Sequence, residues 1–308
     1  MPRTARKKSF DSIFHIMVKS VGDTTLFKKD EDRDMYLGII KKYQNIFDFK
    51  VYAYCLMDSH GHLMIDANGA DVSKFMQRIN QSYAQRYNKK YERFGHVFAD
   101  RFRSEIIDDD KYLLVCFGYI HNNCKDIPGW KGKEEEYPYS SFSIYMGIHD
   151  DKYNILSKQF MLGIFDENNA KGLKKCRIFM ADYMKREDDI NVKEHMFFKD
   201  QKTDYRSERH IIPRDYSPED ILSFISKHTK TNKRIITEPY NRSSTESKAL
   251  FILLMTRYCD FSIKDVCNFM GHISQSRVSS LCSMGSQLID TNVKYQNILK
   301  TFIKKERI

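Results

Sequence analysis

Hydrophobic positions in the first 125 residues alternate between the period of a β-strand and the period of an α-helix. Short runs rich in β-branched and aromatic residues predict strands, and apolar residues three or four positions apart predict helices. The predicted strands are 13–18, 51–57, 60–65 and 97–107, and the predicted helices are 30–46, 71–90 and 110–123. The order β-α-β-β-α-β-α predicts an α+β fold of the ferredoxin-like kind, an antiparallel sheet with helices on one face.

The pattern changes after this segment. Residues 126–150 resemble a loop, and residues 151–215 are charged and largely helical, which predicts a connector that ends in a polar linker over 201–215. From Ser217 the pattern is entirely helical, with a serine at the cap position and Pro218 at the first helical position. We therefore predict three regions, 1–150, 151–215 and 216–308, the last an all-α domain.

Composition narrows the class of protein. The chain has 308 residues, and its 41% hydrophobic and 13% aromatic content is that of a globular protein. No apolar run approaches the roughly 18 residues of a membrane span. The basic N-terminus leads into no apolar segment, and the seven cysteines form no CxxC pair. We expect a cytoplasmic protein without a disulfide framework or a zinc ribbon.

The charge favours a polyanionic partner. The chain carries a net charge of +10, with 51 Lys and Arg against 41 Asp and Glu. Residues 216–308 contain 14 basic and 8 acidic residues, so this region carries most of the excess. Such a charge can serve only to keep the protein soluble, or it can bind a polyanion. Among polyanions, nucleic acid is the first candidate.

Two short motifs carry candidate chemistry. His60 and His62 are two positions apart on a predicted strand, so they point to one face and can share a divalent metal. Tyr119 and Asn123 are four positions apart on a predicted helix, where a tyrosine can act as a nucleophile and an asparagine carbonyl can bind a metal. Each motif alone also fits ordinary structure: a chance histidine pair, and a core tyrosine with an asparagine cap.

The segment from Gln77 to Arg103 interleaves cations with aromatic rings. Cations can follow phosphates while rings stack on bases, although rings on an amphipathic helix can equally belong to the core. The candidate DNA-binding cations are Arg78, Arg86, Lys89, Lys90, Arg93, Arg101 and Arg103, and the rings are Tyr83, Tyr87, Tyr91 and Phe94.

A second candidate for nucleic-acid binding lies near the C-terminus. A short predicted helix over 262–270 ends at Gly271, and another helix begins at Ser274. This is the form of a helix–turn–helix, in which Gln275, Ser276 and Arg277 would face the bases from the first turn of the recognition helix. An ordinary helical bundle is the alternative.

The motifs and their order resemble the REP-associated tyrosine transposases, which are single-tyrosine HUH endonucleases of the insertion-sequence superfamily. The resemblance covers roughly residues 10–145. It rests on FHIMVKSVGDTTLF, VYAYCLMDSHGHLMI, QRINQSYAQRYNKKYERFGHVFADRFRSEII, LLVCFGYIHNNC and YPYSSFSIYMG. Residues 217–290 are loosely similar to the DNA-binding domain of the bacterial replication initiator DnaA.

The resemblance implies a metal-dependent endonuclease and strand transferase that acts on single-stranded, hairpin-containing DNA, as in transposition. His60, His62 and Asn123 would hold Mg²⁺ or Mn²⁺, and Tyr119 would form a 5′-phosphotyrosine intermediate. The C-terminal helices would bind duplex DNA and place the protein at the nucleoid. Monomer and homodimer both remain open.

Three departures from the family pattern support an alternative, a domesticated transposase that binds or regulates DNA without cutting it. Gly61 replaces a bulky hydrophobic residue, Cys124 replaces a proline, and the turn before the histidines reads Met-Asp-Ser. A further alternative is a metal hydrolase that recruits Asp58 or Asp66 beside the histidine pair.

Overall fold

The computed structural model describes residues 12–22, 24–185, 211–212, 214–239 and 241–305. The chain divides into two compact units, one of Met1–Lys41 and Phe49–Ile211, the other of Lys42–Asp48 and Ile212–Ile308. Residues 186–210 and 213 of the expected connector and linker lie outside the described residues.

The first unit contains a four-stranded antiparallel sheet. Its strands are β1 (Ile13–Lys19), β2 (Lys50–Leu56), β3 (His60–Asp66) and β4 (Arg103–Ile107), in the order β2-β3-β1-β4. The predicted α+β class with a ferredoxin-like antiparallel sheet is confirmed. The fourth strand is shorter than expected, because residues 97–99 make only isolated backbone hydrogen bonds to residues 19–21 before the strand begins.

The helices of this part of the chain match the predicted positions closely up to residue 122. They are α1 (Asp30–Phe47), α2 (Val72–Lys90), α3 (Asp110–Asn122), α4 (Ser141–Met146), α5 (Lys158–Phe165) and α6 (Asn169–Met184). The short helix α4 occupies a region that the sequence assigned to a loop. It forms because Ser140 caps its N-terminus and its apolar side chains are buried.

Both faces of the sheet are buried. On one face, Ile13 and Met64 belong to a core cluster that includes residues of α3. On the other face, Phe14, Ile16 and Leu63 are fully buried. The sheet therefore differs from the expected arrangement with helices on one face, because α3 and the elements after it add a second layer to the ferredoxin-like core.

Helices α5 and α6 pack on this added layer. Met161 and Leu162 of α5, and Cys176 and Met180 of α6, are buried in the same cluster as α3. Residues that the sequence assigned to a connector thus contribute to the core of the first unit.

The second unit is helical in its described residues. Its helices are α7 (Pro218–Thr229), α8 (Lys233–Thr237), α9 (Thr245–Tyr258), α10 (Ile263–Met270), α11 (Gln275–Thr291) and α12 (Ile298–Lys305). Helix α9 is buried along almost its whole length, as expected for a helix at the centre of a small domain. Helix α11 crosses it closely at Gly285, where an added Cβ would lie 2.5 Å from the carbonyl oxygen of Ala249. Of the helices in the described part of the chain, none has the length and apolarity needed to cross a membrane.

Candidate active site and nucleic-acid interface

The histidine pair lies on β3, an interior strand of the sheet. His60 and His62 point to the same face because side chains alternate along a strand, and their ring centroids are 5.2 Å apart. Gly61, between them, points to the opposite face. There, a Cβ would lie 3.0 Å from the Cδ2 atom of Leu56 and 3.5 Å from a methyl group of Val18, so these side chains occupy the space of the missing bulky residue.

A third histidine, which sequence reasoning missed, contacts this pair. The Nε2 atom of His15 on β1 lies 3.0 Å from the Nδ1 atom of His62, and the two rings are stacked with centroids 5.2 Å apart. His15 belongs to this face because Met17, two residues further along β1, is the cross-strand partner of His62. The pattern of β1 alone does not indicate which residues lie beside it, so the register with β3 was needed to identify the contact.

The ring of His60 is held from the turn before β3. Its Nδ1 atom lies 3.0 Å from the hydroxyl oxygen of Ser59. Both the backbone N–H and the hydroxyl of Ser20 donate to the Ser59 carbonyl, and Arg33 pairs with the carboxylate of Asp58. The Met-Asp-Ser turn therefore has its own set of contacts that fix the start of the strand.

Burial keeps the three imidazoles neutral. Desolvation lowers the pKa of His15 to about 4. Desolvation also lowers the pKa of His62 well below its ordinary value, with further contributions from His15 and His60, and it lowers the pKa of His60 together with the charge of Lys19. Neutral rings at neutral pH retain the lone pairs that a metal requires.

Tyr119 reaches the histidines from α3. Its ring centroid is 5.4 Å from that of His62 and 5.8 Å from that of His15, edge-on in both cases. One residue earlier, Gly118 allows Tyr183 of α6 to pack directly against the helix, since a Cβ at this position would lie 2.6 Å from the Tyr183 ring. The candidate nucleophile itself is partly buried and packs against the core cluster.

Asn123 follows the last turn of α3 and is almost completely buried. Its side-chain nitrogen donates to the backbone carbonyl of Tyr119 over 2.7 Å, so the amide oxygen is the atom that remains for a ligand. Among the described residues, no three His, Cys, Asp or Glu side chains are grouped so that they could hold a metal. The candidate ligands His60, His62 and Asn123 are not such a group, because the third ligand is an amide.

The two carboxylates of the hydrolase alternative have other partners. Asp58 pairs with Arg33, and Asp66 accepts hydrogen bonds from the hydroxyl of Tyr52 and the backbone N–H of Asn68. Nothing in this arrangement favours either carboxylate as a ligand beside His60 and His62.

The cations that the sequence assigned to DNA differ in their surroundings. Arg86, Lys89, Arg101 and Arg103 are exposed. Arg103 lies on β4 opposite Met17, which is itself opposite His62 on β3. Partners across antiparallel strands share a face, so Arg103 lies on the sheet face that carries the histidines.

The remaining cations of this segment contact the protein or are partly buried. Lys90 forms an ion pair with Asp32 at 2.6 Å, and Arg93 donates to the carbonyl of His96 and lies over the ring of Tyr87. Arg78 is partly buried on α2. These three side chains support the local structure in addition to any role on DNA.

The candidate recognition helix has the expected local form. Helix α10 ends at Gly271, whose φ of 71° is left-handed, and α11 begins after Ser274, which caps it. Gln275, Ser276 and Arg277 are exposed on the first turn of α11. The assignment of these helices to DNA binding stays a prediction.

The first unit thus combines an antiparallel sheet of order β2-β3-β1-β4, a histidine pair on β3 and a tyrosine of α3 that lies against this pair. Residues 8–123 match the family model described as "Transposase IS200 like". The structure of a REP-associated tyrosine transposase bound to a REP hairpin is similar, with a TM-score of 0.42 and 17% identity, over 48% of this chain and 86% of that chain. No curated protein matches the chain.

Proposed function

We propose that this protein is an endonuclease and strand transferase that cuts single-stranded DNA beside a hairpin, as in transposition. The observation that carries the proposal is the contact of the Tyr119 ring with His62 and His15, beside His60, in a segment that matches the IS200-like transposase model. A nucleophile, a pair of neutral imidazoles and one exposed cation, Arg103, on the same sheet face are parts that phosphoryl transfer can use.

Tyr119 supplies the nucleophile in this proposal. Its hydroxyl oxygen attacks the scissile phosphorus, the bond from phosphorus to the 3′-oxygen breaks, and the phenolic proton ends on the departing 3′-oxygen. The products are a 5′-phosphotyrosine linkage and a free 3′-hydroxyl. The phosphoester energy is conserved in the linkage, so the reverse reaction on another 3′-hydroxyl joins strands without ATP.

The residues present fit a divalent metal. His15 and Ser59 engage the Nδ1 atoms of His62 and His60, so each ring offers its Nε2 atom, and Asn123 offers an amide oxygen. When bound, Mg²⁺ or Mn²⁺ would polarise the scissile phosphate as a Lewis acid. His60, His62 and Asn123 would hold the metal, and His15 would orient His62.

We assign DNA contacts to those candidate cations whose side chains are exposed. Arg103 is placed to bind a phosphate on the histidine face, and Arg86, Lys89 and Arg101 are available to follow the backbone. In the second unit, Gln275, Ser276 and Arg277 would contact duplex DNA, which would give the protein a place at the nucleoid.

The test is covalent trapping on hairpin oligonucleotides with single-stranded flanks in the presence of Mn²⁺. We expect a protein–DNA adduct with the wild type, no adduct with Tyr119→Phe, and near-normal DNA affinity for that variant. Tyr112→Phe is the matched control, because the Tyr112 hydroxyl contacts Glu105 and burial raises its pKa. An adduct that persists in Tyr119→Phe and disappears in Tyr112→Phe would reassign the nucleophile.

A second experiment addresses the metal. Replacing both His60 and His62 with alanine should abolish the heat of Mn²⁺ binding in calorimetric titration and the adduct together. If the wild type binds the oligonucleotide but gives no adduct in any divalent metal, the non-catalytic DNA-binding alternative is correct.

A further inference from the structure

One aromatic side chain of the basic segment lies in solvent instead of in the core. Phe94, in the loop between α2 and β4, is 97% exposed. The neighbouring rings Tyr83 and Tyr87 are buried, and their hydroxyls donate to the carbonyls of Leu26 and Thr25. Packing therefore accounts for these two tyrosines but not for Phe94.

The loop that carries Phe94 is held in a defined shape. The backbone N–H of Arg93 donates to the carbonyl of Asn88 over 3.0 Å, and the Asn88 amide donates to the carbonyl of Gly95 over 2.9 Å. Glu92 and Gly95 have positive φ values of 48° and 93°, which turn the chain on both sides of the ring. A ring presented in this way loses little conformational entropy when it binds a ligand.

The far end of the same loop is bonded to the strand end beside the candidate active site. The backbone N–H of Ala99 donates to the carbonyl of Lys19, and the N–H of Val21 donates to the carbonyl of Val97. Lys19 is the cross-strand partner of His60. The loop thus runs from the exposed ring to the edge of the histidine face.

The charge around the ring favours a polyanion. Residues 86–103 contain six Lys and Arg against two acidic residues, Glu92 and Asp100. A peptide or a second subunit would need an apolar groove, whereas this surface offers a single exposed ring among cations. It matches the combination of stacking surface and phosphate contacts that binds single-stranded nucleic acid.

We propose that Phe94 stacks on an unpaired base of the single-stranded DNA that flanks the hairpin, next to the site of cleavage. This inference rests on the proposed function, since it requires DNA as the substrate. It assigns recognition of the flank to a residue outside the reacting centre, so binding and cleavage can be measured separately.

The experiment uses the full chain and a hairpin oligonucleotide whose single-stranded flank carries 2-aminopurine at successive positions, with a blunt duplex as the second probe. We expect Phe94→Ala to weaken binding of the flanked hairpin about tenfold, within the range known for loss of one stacked base, and to leave blunt-duplex binding unchanged. Phe94→Trp should retain affinity, and its indole emission should be quenched on binding. Trp130 is the only natural tryptophan, so its contribution can be subtracted. Ile178→Ala, at a 55% exposed position on α6, is the matched control and should bind like the wild type.

Several results would contradict the inference. If Phe94→Ala binds the flanked hairpin as tightly as the wild type does, the inference about Phe94 is wrong while the proposed function stands. The inference is also wrong if Phe94→Ala loses the same affinity for the blunt duplex. It is wrong as well if the wild type self-associates and Phe94→Ala abolishes this without changing DNA affinity. A wild type that binds no flanked hairpin would overturn the proposed function as well.

Discussion

The Nε2 atom of His15 on β1 lies 3.0 Å from the Nδ1 atom of His62 on β3, and the two rings stack. When Nδ1 of His62 carries the proton, it donates to Nε2 of His15, and His62 then keeps its lone pair on Nε2 for a metal. Partners of this kind tune metal affinity by roughly 10- to 100-fold.

His15→Ala should therefore weaken Mn²⁺ binding by at least about tenfold while the protein stays folded. His15→Gln keeps a carbonyl acceptor and should recover part of the affinity. Calorimetric titration measures both, and His149→Ala, an exposed histidine of the same unit, is the control. Equal Mn²⁺ affinity in His15→Ala and the wild type would show that His15 does not orient His62.

Gly118→Ala should destabilise the first unit by about 1–3 kcal/mol, because the new methyl group would collide with the Tyr183 ring. Since Tyr119 is the next residue, adduct formation should fall as well. Urea unfolding followed by Trp130 fluorescence reports on this unit.

The control for Gly118→Ala is Gly38→Ala on α1, where a Cβ makes only an ordinary 3.7 Å contact with Tyr153. It should be neutral or stabilise the protein by up to about 1 kcal/mol, through helix propensity. Combining Gly118→Ala with Tyr183→Ala should cost less than the sum of the two changes. Strict additivity would mean that the clash is absent.

Asp32→Asn should destabilise the protein by about 1–3 kcal/mol at pH 7. The carboxylate accepts hydrogen bonds from Lys90, from the Tyr91 hydroxyl and from two backbone N–H groups. Burial alone would raise the pKa of Asp32, but the hydrogen bonds from Lys90, Tyr91 and Lys29 outweigh it, so the pKa is lowered.

The lowered pKa of Asp32 determines how its contribution to the free energy of unfolding changes with pH. The unfolded chain binds the proton more readily, so the stability that Asp32 contributes is present above its ordinary pKa of about 3.9 and is lost as pH falls below it. The difference between Asp32→Asn and the wild type should narrow between pH 7 and pH 3 in urea titrations. Asp34→Asn weakens an exposed ion pair with Lys152, so it should change stability by less than about 1 kcal/mol. A difference for Asp32→Asn that is independent of pH would contradict the assignment.

Arg277→Ala should weaken duplex binding by about 1–3 kcal/mol if the arginine pairs with a guanine edge, and should leave cleavage of a short hairpin unchanged. Fluorescence anisotropy at two salt concentrations measures the change. Arg242→Ala removes the same charge from another exposed position of the second unit. An equal loss in both variants would indicate general electrostatics rather than recognition by α11.

Much of the first unit followed from the sequence because its signals are local. Strand alternation placed His60 and His62 on one face, and helical spacing placed Tyr119 one turn before Asn123. The contacts of His15 and of Ser59 required the strand register and the turn geometry, which arise from pairing between distant segments. Helix α4 was missed because its six residues are too few to show a helical period.

The aromatic residues of α2 and of the loop that follows it make the same point. Their spacing fits a core face and a stacking surface equally well, and only burial separates Tyr83 from Phe94. Arg103 gained a place near the histidines through its register with Met17, which no periodicity within β4 could reveal.

The strand order β2-β3-β1-β4 also determines which backbone hydrogen bonds of the first unit break together. Strands β1 and β3 are hydrogen-bonded on both sides, so their amide protons should exchange with solvent only when the sheet itself opens. His15, His60 and His62 are all carried by these two strands, whereas Phe94 lies on a loop held by a few hydrogen bonds. Deuterium should therefore enter the loop long before it reaches the strands beneath the histidines. The imidazole cluster would then persist through local opening of the loop that carries Phe94.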